Sequence, residues 1–221
     1  MPDDSVRGPG DPSAGAPSVP LDLVRREIVV PKLRRISLIS IAVGLLITML
    51  VSLFAPFWAA VLIGVVIGGP PALGSHLAGR RAYWLAGRTV SARMLATRTV
   101  DIGGLTRAEL VVQPGRFRQV HLALADRDNA ISVPLALYGA DRGAELDIMG
   151  IRRLADVLAM SELISAEIVS RVLVEHLRAE ARGAGLTARP LFRAVTRAEE
   201  TAPSSRVALS EDDLALILDA E

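Results

Sequence analysis

The sequence contains no cysteine. Disulfides, thiolate metal sites and cysteine nucleophiles are therefore excluded. Lysine occurs once, at Lys32, against 24 arginines, and alanine is abundant. That bias is typical of a GC-rich bacterial genome and carries no information about activity. Aromatic residues are only 4% of the chain, and Phe117 alone is interleaved among basic residues, so a base-stacking nucleic-acid surface has no support. The three histidines, His76, His121 and His176, stand far apart, with no H-x-x-x-H or H-E-x-x-H, and a zinc site is unsupported. No phosphate-binding G-x-x-x-x-G-K-[ST] and no nucleophile elbow G-x-S-x-G occurs. Asp126 and Asp128 flank Arg127 but lack the further oxygen ligands and closing Glu of a calcium loop. The sequence therefore predicts no catalytic residue, no cofactor and no metal, and a protein that is not an enzyme.

Charge is missing from one long interval. Between Arg35 and Arg80 lie 44 residues without Asp, Glu, Lys or Arg, and His76 is the one titratable side chain among them. As a single helix, residues 36–69 would be about 51 Å long, too long for a hydrocarbon layer of about 30 Å. Pro56 divides the interval, because proline breaks a helix interior and disfavours helix at the residue before it. The prediction is a two-helix transmembrane hairpin over 36–54 and 57–73, with Phe54, Phe57 and Trp58 at the turn and Tyr83 and Trp84 beyond the second helix. Gly68-Gly69-Pro70-Pro71 is expected to end or kink that second helix. Arg25, Arg26, Lys32, Arg34 and Arg35 precede the pair, and Arg80, Arg81 and Arg88 follow it. The positive-inside rule then places both termini in the cytoplasm of a multi-pass inner-membrane protein. Arg34, Arg35, Arg80 and Arg81 would meet anionic lipid headgroups. The absence of charge within the spans argues against ion transport by this chain alone.

Small residues recur every fourth position in both segments: Ser40, Gly44, Thr48 and Ser52, then Ala60, Gly64 and Gly68. Such spacing lets helix backbones approach closely. Gly44, Thr48, Gly64 and Gly68 are the expected packing residues, either between the two helices of one chain or across a homodimer.

Outside the hairpin the chain divides by composition. Residues 1–20, rich in Pro, Gly, Ser and Asp, read as a disordered tail. Residues 21–35 read as a short amphipathic element. From Arg80 to Arg118 eight Arg stand against two acids, and from Gln119 onward eleven Arg stand against seventeen acids. Over 80–160 the pattern alternates, with breaks at Gly103-Gly104, Pro114-Gly115 and Asp126–Asn129. Val120, Leu122 and Leu124 share one face of a strand and His121, Ala123 and Ala125 the other. Leu146, Leu154, Val157 and Leu158 then fall at helical spacing, with Asp147 as N-cap. Several strands closed by one helix describe a small α+β domain.

The stretches "TVSARMLATRTVDIGGLTRAELV", "VHLALADRDNAISVPL" and "IRRLADVL" resemble the bacterial pleckstrin-homology-like domains found beside transmembrane hairpins. Ile102, Leu105 and Leu110 stand near that family's aliphatic stretch, Asp126–Asn129 at its charged turn and Ile151–Leu158 at its capping helix. The match covers about 75 residues, with four or five strands in place of the family's seven. The resemblance implies a binding or scaffolding module.

Residues 161–185 form an amphipathic helix with Glu167–Arg171 and Arg171–Glu175 at i,i+4, stopped by Gly183 and Gly185. Residues 186–209, containing Pro190 and Pro203, read as a linker. Residues 210–221 read as a short helix: Ser210 caps it, Glu211, Asp212 and Asp213 fill its first turn, and Leu209 and Leu214 staple it. Leu214, Ile217 and Leu218 share a face that must dock, on its own domain or on a partner. The full expectation is a two-pass membrane protein whose cytosolic β-rich module binds a lipid surface or an unidentified protein partner. The alternative is an accessory subunit of a larger transport or secretion complex, held through the hairpin.

Overall fold

The computed structural model describes residues 18–21, 23, 26–53, 56–80, 82–93, 96–139 and 143–219, without certain side chains that include those of residues 26–36 and 75–80. The chain divides into two compact units. One comprises residues 1–21, 83–91 and 98–221; the other comprises 22–82 and 92–97.

The second unit is built on two helices, α1 (Arg26–Val51) and α2 (Phe57–Arg80), packed against each other. Pro56 stands at the start of α2, where a missing N–H costs nothing, and its carbonyl accepts from Ala59 and Ala60. Among the described residues no helix is long and apolar enough to cross a membrane. Helix α1 stops at Val51, not Phe54, and its first ten residues include Arg26, Glu27, Lys32, Arg34 and Arg35. Its uncharged part, 36–51, is sixteen residues or about 24 Å, against about 30 Å of hydrocarbon. In α2 the unbroken apolar run Phe57–Ile67 gives way to Gly68-Gly69-Pro70-Pro71, although the helix continues to Arg80. The transmembrane hairpin is therefore corrected to a helical hairpin. The expectations built on it are corrected with it: the two-pass inner-membrane placement with cytoplasmic termini, the anionic-lipid partner and the membrane-complex subunit.

The first unit is α+β, with open sheets. β1 (Ser18–Pro20), β2 (Ala82–Ala86), β3 (Thr89–Arg93) and β4 (Thr97–Asp101) lie in that order in a four-stranded sheet. Ser18–Pro20 is thus a strand and not the end of a tail. It pairs antiparallel with β2, and Leu21, fully buried, donates its N–H to the Tyr83 carbonyl at 2.9 Å. The expectation for residues 1–17 lies outside the described residues.

The larger sheet contains β5 (Arg107–Gln113), β6 (Arg118–Ala125), β7 (Ala130–Tyr138), β8 (Gly143–Glu145) and β9 (Val207–Ala208), in the order β8-β7-β6-β5-β9. The β6–β7 turn is organised by Asp126. Its Oδ1 accepts the Asp128 and Asn129 N–H groups at 2.9 and 2.7 Å, and its Oδ2 accepts that of Asp101 at 3.2 Å. Between Val120 and His121 the register slips: Val120 faces Ala136 but His121 faces Pro134, leaving Leu135 as a bulge. Pro134 has no N–H for a regular ladder, and the Leu135 carbonyl accepts from Leu146 instead.

Helices α3 (Ile148–Leu158), α4 (Ile164–Ala181), α5 (Pro190–Thr201) and α6 (Glu211–Asp219) complete the unit. Asp147 caps α3 through the Met149 N–H at 3.1 Å, and Gly183, at φ +69°, ends α4. Helix α5 occupies much of the expected linker. Pro190 starts it, with φ preset for a first helical residue, and Leu191, Ala194, Val195 and Ala198 form its buried stripe. Helices α4 and α5 pack on β5 and β6, and burial of Leu110, Leu122, Leu154, Leu173 and Leu191 fills the core, each contributing about 1.5–3 kcal/mol. The strands are split between two sheets and several helices follow them, so the pleckstrin-homology-like resemblance is corrected too. Alternation along a strand says which face is apolar, not which strands share a sheet.

Candidate interaction surface

Small residues bring α1 and α2 together. A Cβ added to Gly64 would lie 1.9 Å from Thr48 Oγ1 and 2.7 Å from the Gly44 carbonyl, so only glycine fits. Gly44, Ala60 and Gly64 are buried at this crossing, and Thr48 Oγ1 donates to the Gly44 carbonyl at 2.9 Å. Gly44, Thr48 and Gly64 therefore meet within one chain. The side of Gly68 lies outside the described residues.

On the outer faces of the two helices large apolar side chains stay exposed among the described residues. Of 22 large apolar side chains exposed among the described residues, sixteen lie between Leu38 and Leu73, including Leu46, Met49, Leu53 and Trp58. At roughly 100 Å² each they present about 1,600 Å² of apolar surface. A monomer ordinarily exposes a contiguous apolar patch of only about 300–600 Å². The Ser52 hydroxyl is engaged by the helix it follows, with Oγ donating to the Met49 carbonyl at 2.7 Å.

In the α+β unit the strongest electrostatics are internal. Glu145, at the end of β8, accepts a hydrogen bond from Tyr138 Oη at 2.7 Å and pairs with Arg189, which precedes α5. His176 Nε2, on α4 and fully buried, stands 3.6 Å from Glu145 Oε2. Neither ring nitrogen of His176 has a hydrogen-bond partner among the described residues. Burial alone would raise the Glu145 carboxyl. The opposing contacts with His176, Tyr138 and Arg189 win and hold it at about 2. Burial, and then the Glu145 hydrogen bond and charge, push the Tyr138 hydroxyl far up. Nearby, buried Glu175 pairs with Arg182 at 2.8 Å and Arg178 at 3.2 Å. Sequence patterning missed this cluster because Glu145 and Arg189 are 44 residues apart.

A shallow cleft of about 530 Å³ is lined by Asp101, Gly103, Thr106, Asp126, Asp128 and Glu162, among others. Burial works to raise the Asp126 carboxyl, but its three backbone N–H partners outweigh it and lower it. Among the described residues no group of three His, Asp or Glu could hold a metal ion.

Leu214 and Ile217 are buried, and Leu218 is half-buried, with α6 lying on α4 and α5. Their face is occupied within the chain. Ser210 and Asp213 cap α6 reciprocally: Ser210 Oγ accepts the Asp213 N–H at 3.1 Å and Asp213 Oδ2 accepts the Ser210 N–H at 3.2 Å. Arg34, Arg35, Arg80 and Arg81 lie outside the residues whose side chains are described.

No protein-family model, no curated protein and no solved structure matches the chain.

Proposed function

We propose that the protein is a non-catalytic association module, in which the apolar hairpin α1–α2 joins the chain to another protein surface. The observation that supports this is the concentration of sixteen exposed large apolar side chains on two helices. Leaving that much apolar surface in water is unfavourable by about 25 cal/mol per Å², and covering it drives association. A non-catalytic role is favoured because the most perturbed groups, Glu145 and Tyr138, are engaged with each other and with Arg189 inside the fold. Light scattering on the purified full chain tests the reading. A mass well above 23.5 kDa in detergent-free buffer is expected. A 23.5 kDa particle, or a chain recovered only with lipid or detergent, overturns it.

A further inference from the structure

We infer that the surface packed on α1 is the α1 helix of a second copy of this chain, an inference that rests on the association reading above. Ile39, Ala42, Leu46 and Met49, with Leu53 in the turn that follows, are spaced three and four residues apart in alternation. That is the repeat by which one helix seats its side chains between those of another. At about 100° per residue the four helical members fall on the side of α1 opposite Gly44, which faces α2. All five are exposed, Met49 at 71% and Leu53 at 72%.

The occupant follows from chemistry and area. The seam has no charged or hydrogen-bonding side chain along its length. A polar partner laid on it would lose water and gain no hydrogen bond, at about 1–3 kcal/mol per group. A second identical seam, running parallel and related by a two-fold axis along it, sets apolar atoms against apolar atoms throughout. With the exposed Leu38, Val43, Leu45 and Leu50 flanking it, the seam presents eight large apolar side chains, about 800 Å² at roughly 100 Å² each, which matches the roughly 800 Å² per partner of a stable complex. The small-residue faces take no part, because Gly44, Thr48 and Gly64 are already packed together inside the hairpin.

The absence of native cysteine makes the test direct. Single cysteines are placed in turn at positions 38–50 of the full chain, which is oxidised and run on a non-reducing gel. Dimer bands are expected to peak at 39, 42, 46 and 49, with roughly fivefold less at 47 and 48, because a disulfide needs Cβ atoms about 3.8 Å apart. A flat profile, or a maximum on the 44–48 face, overturns the inference. Light scattering separates the two levels of the argument. A mass above 23.5 kDa with a flat α1 profile sinks the seam and leaves association standing. A single chain, in buffer or dispersed in lipid or detergent, sinks both. L46E combined with M49E should halve the mass of the assembly, and an unchanged mass counts against the seam.

Discussion

Replacing Glu145 by glutamine keeps the shape of the residue and removes its charge. Three groups then change partner: the Arg189 guanidinium, the Tyr138 hydroxyl and the buried His176 ring. The ordinary carboxyl value near 4.5 falls to about 2 in the folded chain. At 1.36 kcal/mol per unit this is about 3 kcal/mol of stability supplied by the ionised carboxylate. The side chain is only 11% exposed, so solvent screening removes little of it. Breaking a buried pair by deleting one member costs about 3–5 kcal/mol by an independent route, and the two figures agree. The folded-state value is the depressed one. The stabilisation is thus complete above about pH 4.5, falls with pH and is gone below about pH 2. Urea unfolding followed by circular dichroism, on both chains across that range, measures the difference. Glu145→Gln should be less stable by about 3 kcal/mol at pH 7, and the gap should close as pH falls towards 2. A gap under about 0.5 kcal/mol at pH 7, or one that does not narrow in acid, would refute the reasoning.

Other expectations are simpler. Gly64→Leu should force α1 and α2 apart at Thr48, at a cost of about 1–3 kcal/mol, seen as faster amide exchange in both helices. Leu214→Ala and Ile217→Ala should each cost about 2–5 kcal/mol in urea unfolding, because both side chains are buried; near-zero values would mean that α6 is not docked on its own unit. Ser210→Ala removes one half of the reciprocal cap and should cost about 1 kcal/mol, read as a fall in melting temperature. Tyr138→Phe should cost about 1.5–3 kcal/mol at pH 7 and far less near pH 2, where Glu145 no longer accepts as an anion.

What could be read from the sequence was local. Asp147 before a helical stripe, the four residues Asp126–Asn129 between two alternating runs, and Ser210 three residues before Asp213 each advertise a hydrogen bond that closes within a few positions. The contacts of Gly44, Thr48 and Gly64 were legible from their spacing alone, and the choice between one chain and two needed the structure. Misreadings arose where one signal admits two geometries. A proline at 190 marks a linker or a first helical residue, and only the buried stripe Leu191–Ala194–Val195–Ala198 decides for helix. An apolar run has no fixed end, and α1 stops at Val51 while its first turns are charged. Glu145, His176 and Arg189 come from three separate elements, so no window of sequence contains the pair that matters most. Alternation in 88–138 revealed strands but could not assign them to two sheets.

The C-terminal segment supplies a border strand as well as a covering helix. Val207 and Ala208 pair with Val112 and Val111, and α6 follows directly over Glu211–Asp219. A chain cut back to before Val207 lacks both pieces, and β5 is then left as an open edge that offers its unpaired N–H and C=O groups to any other strand.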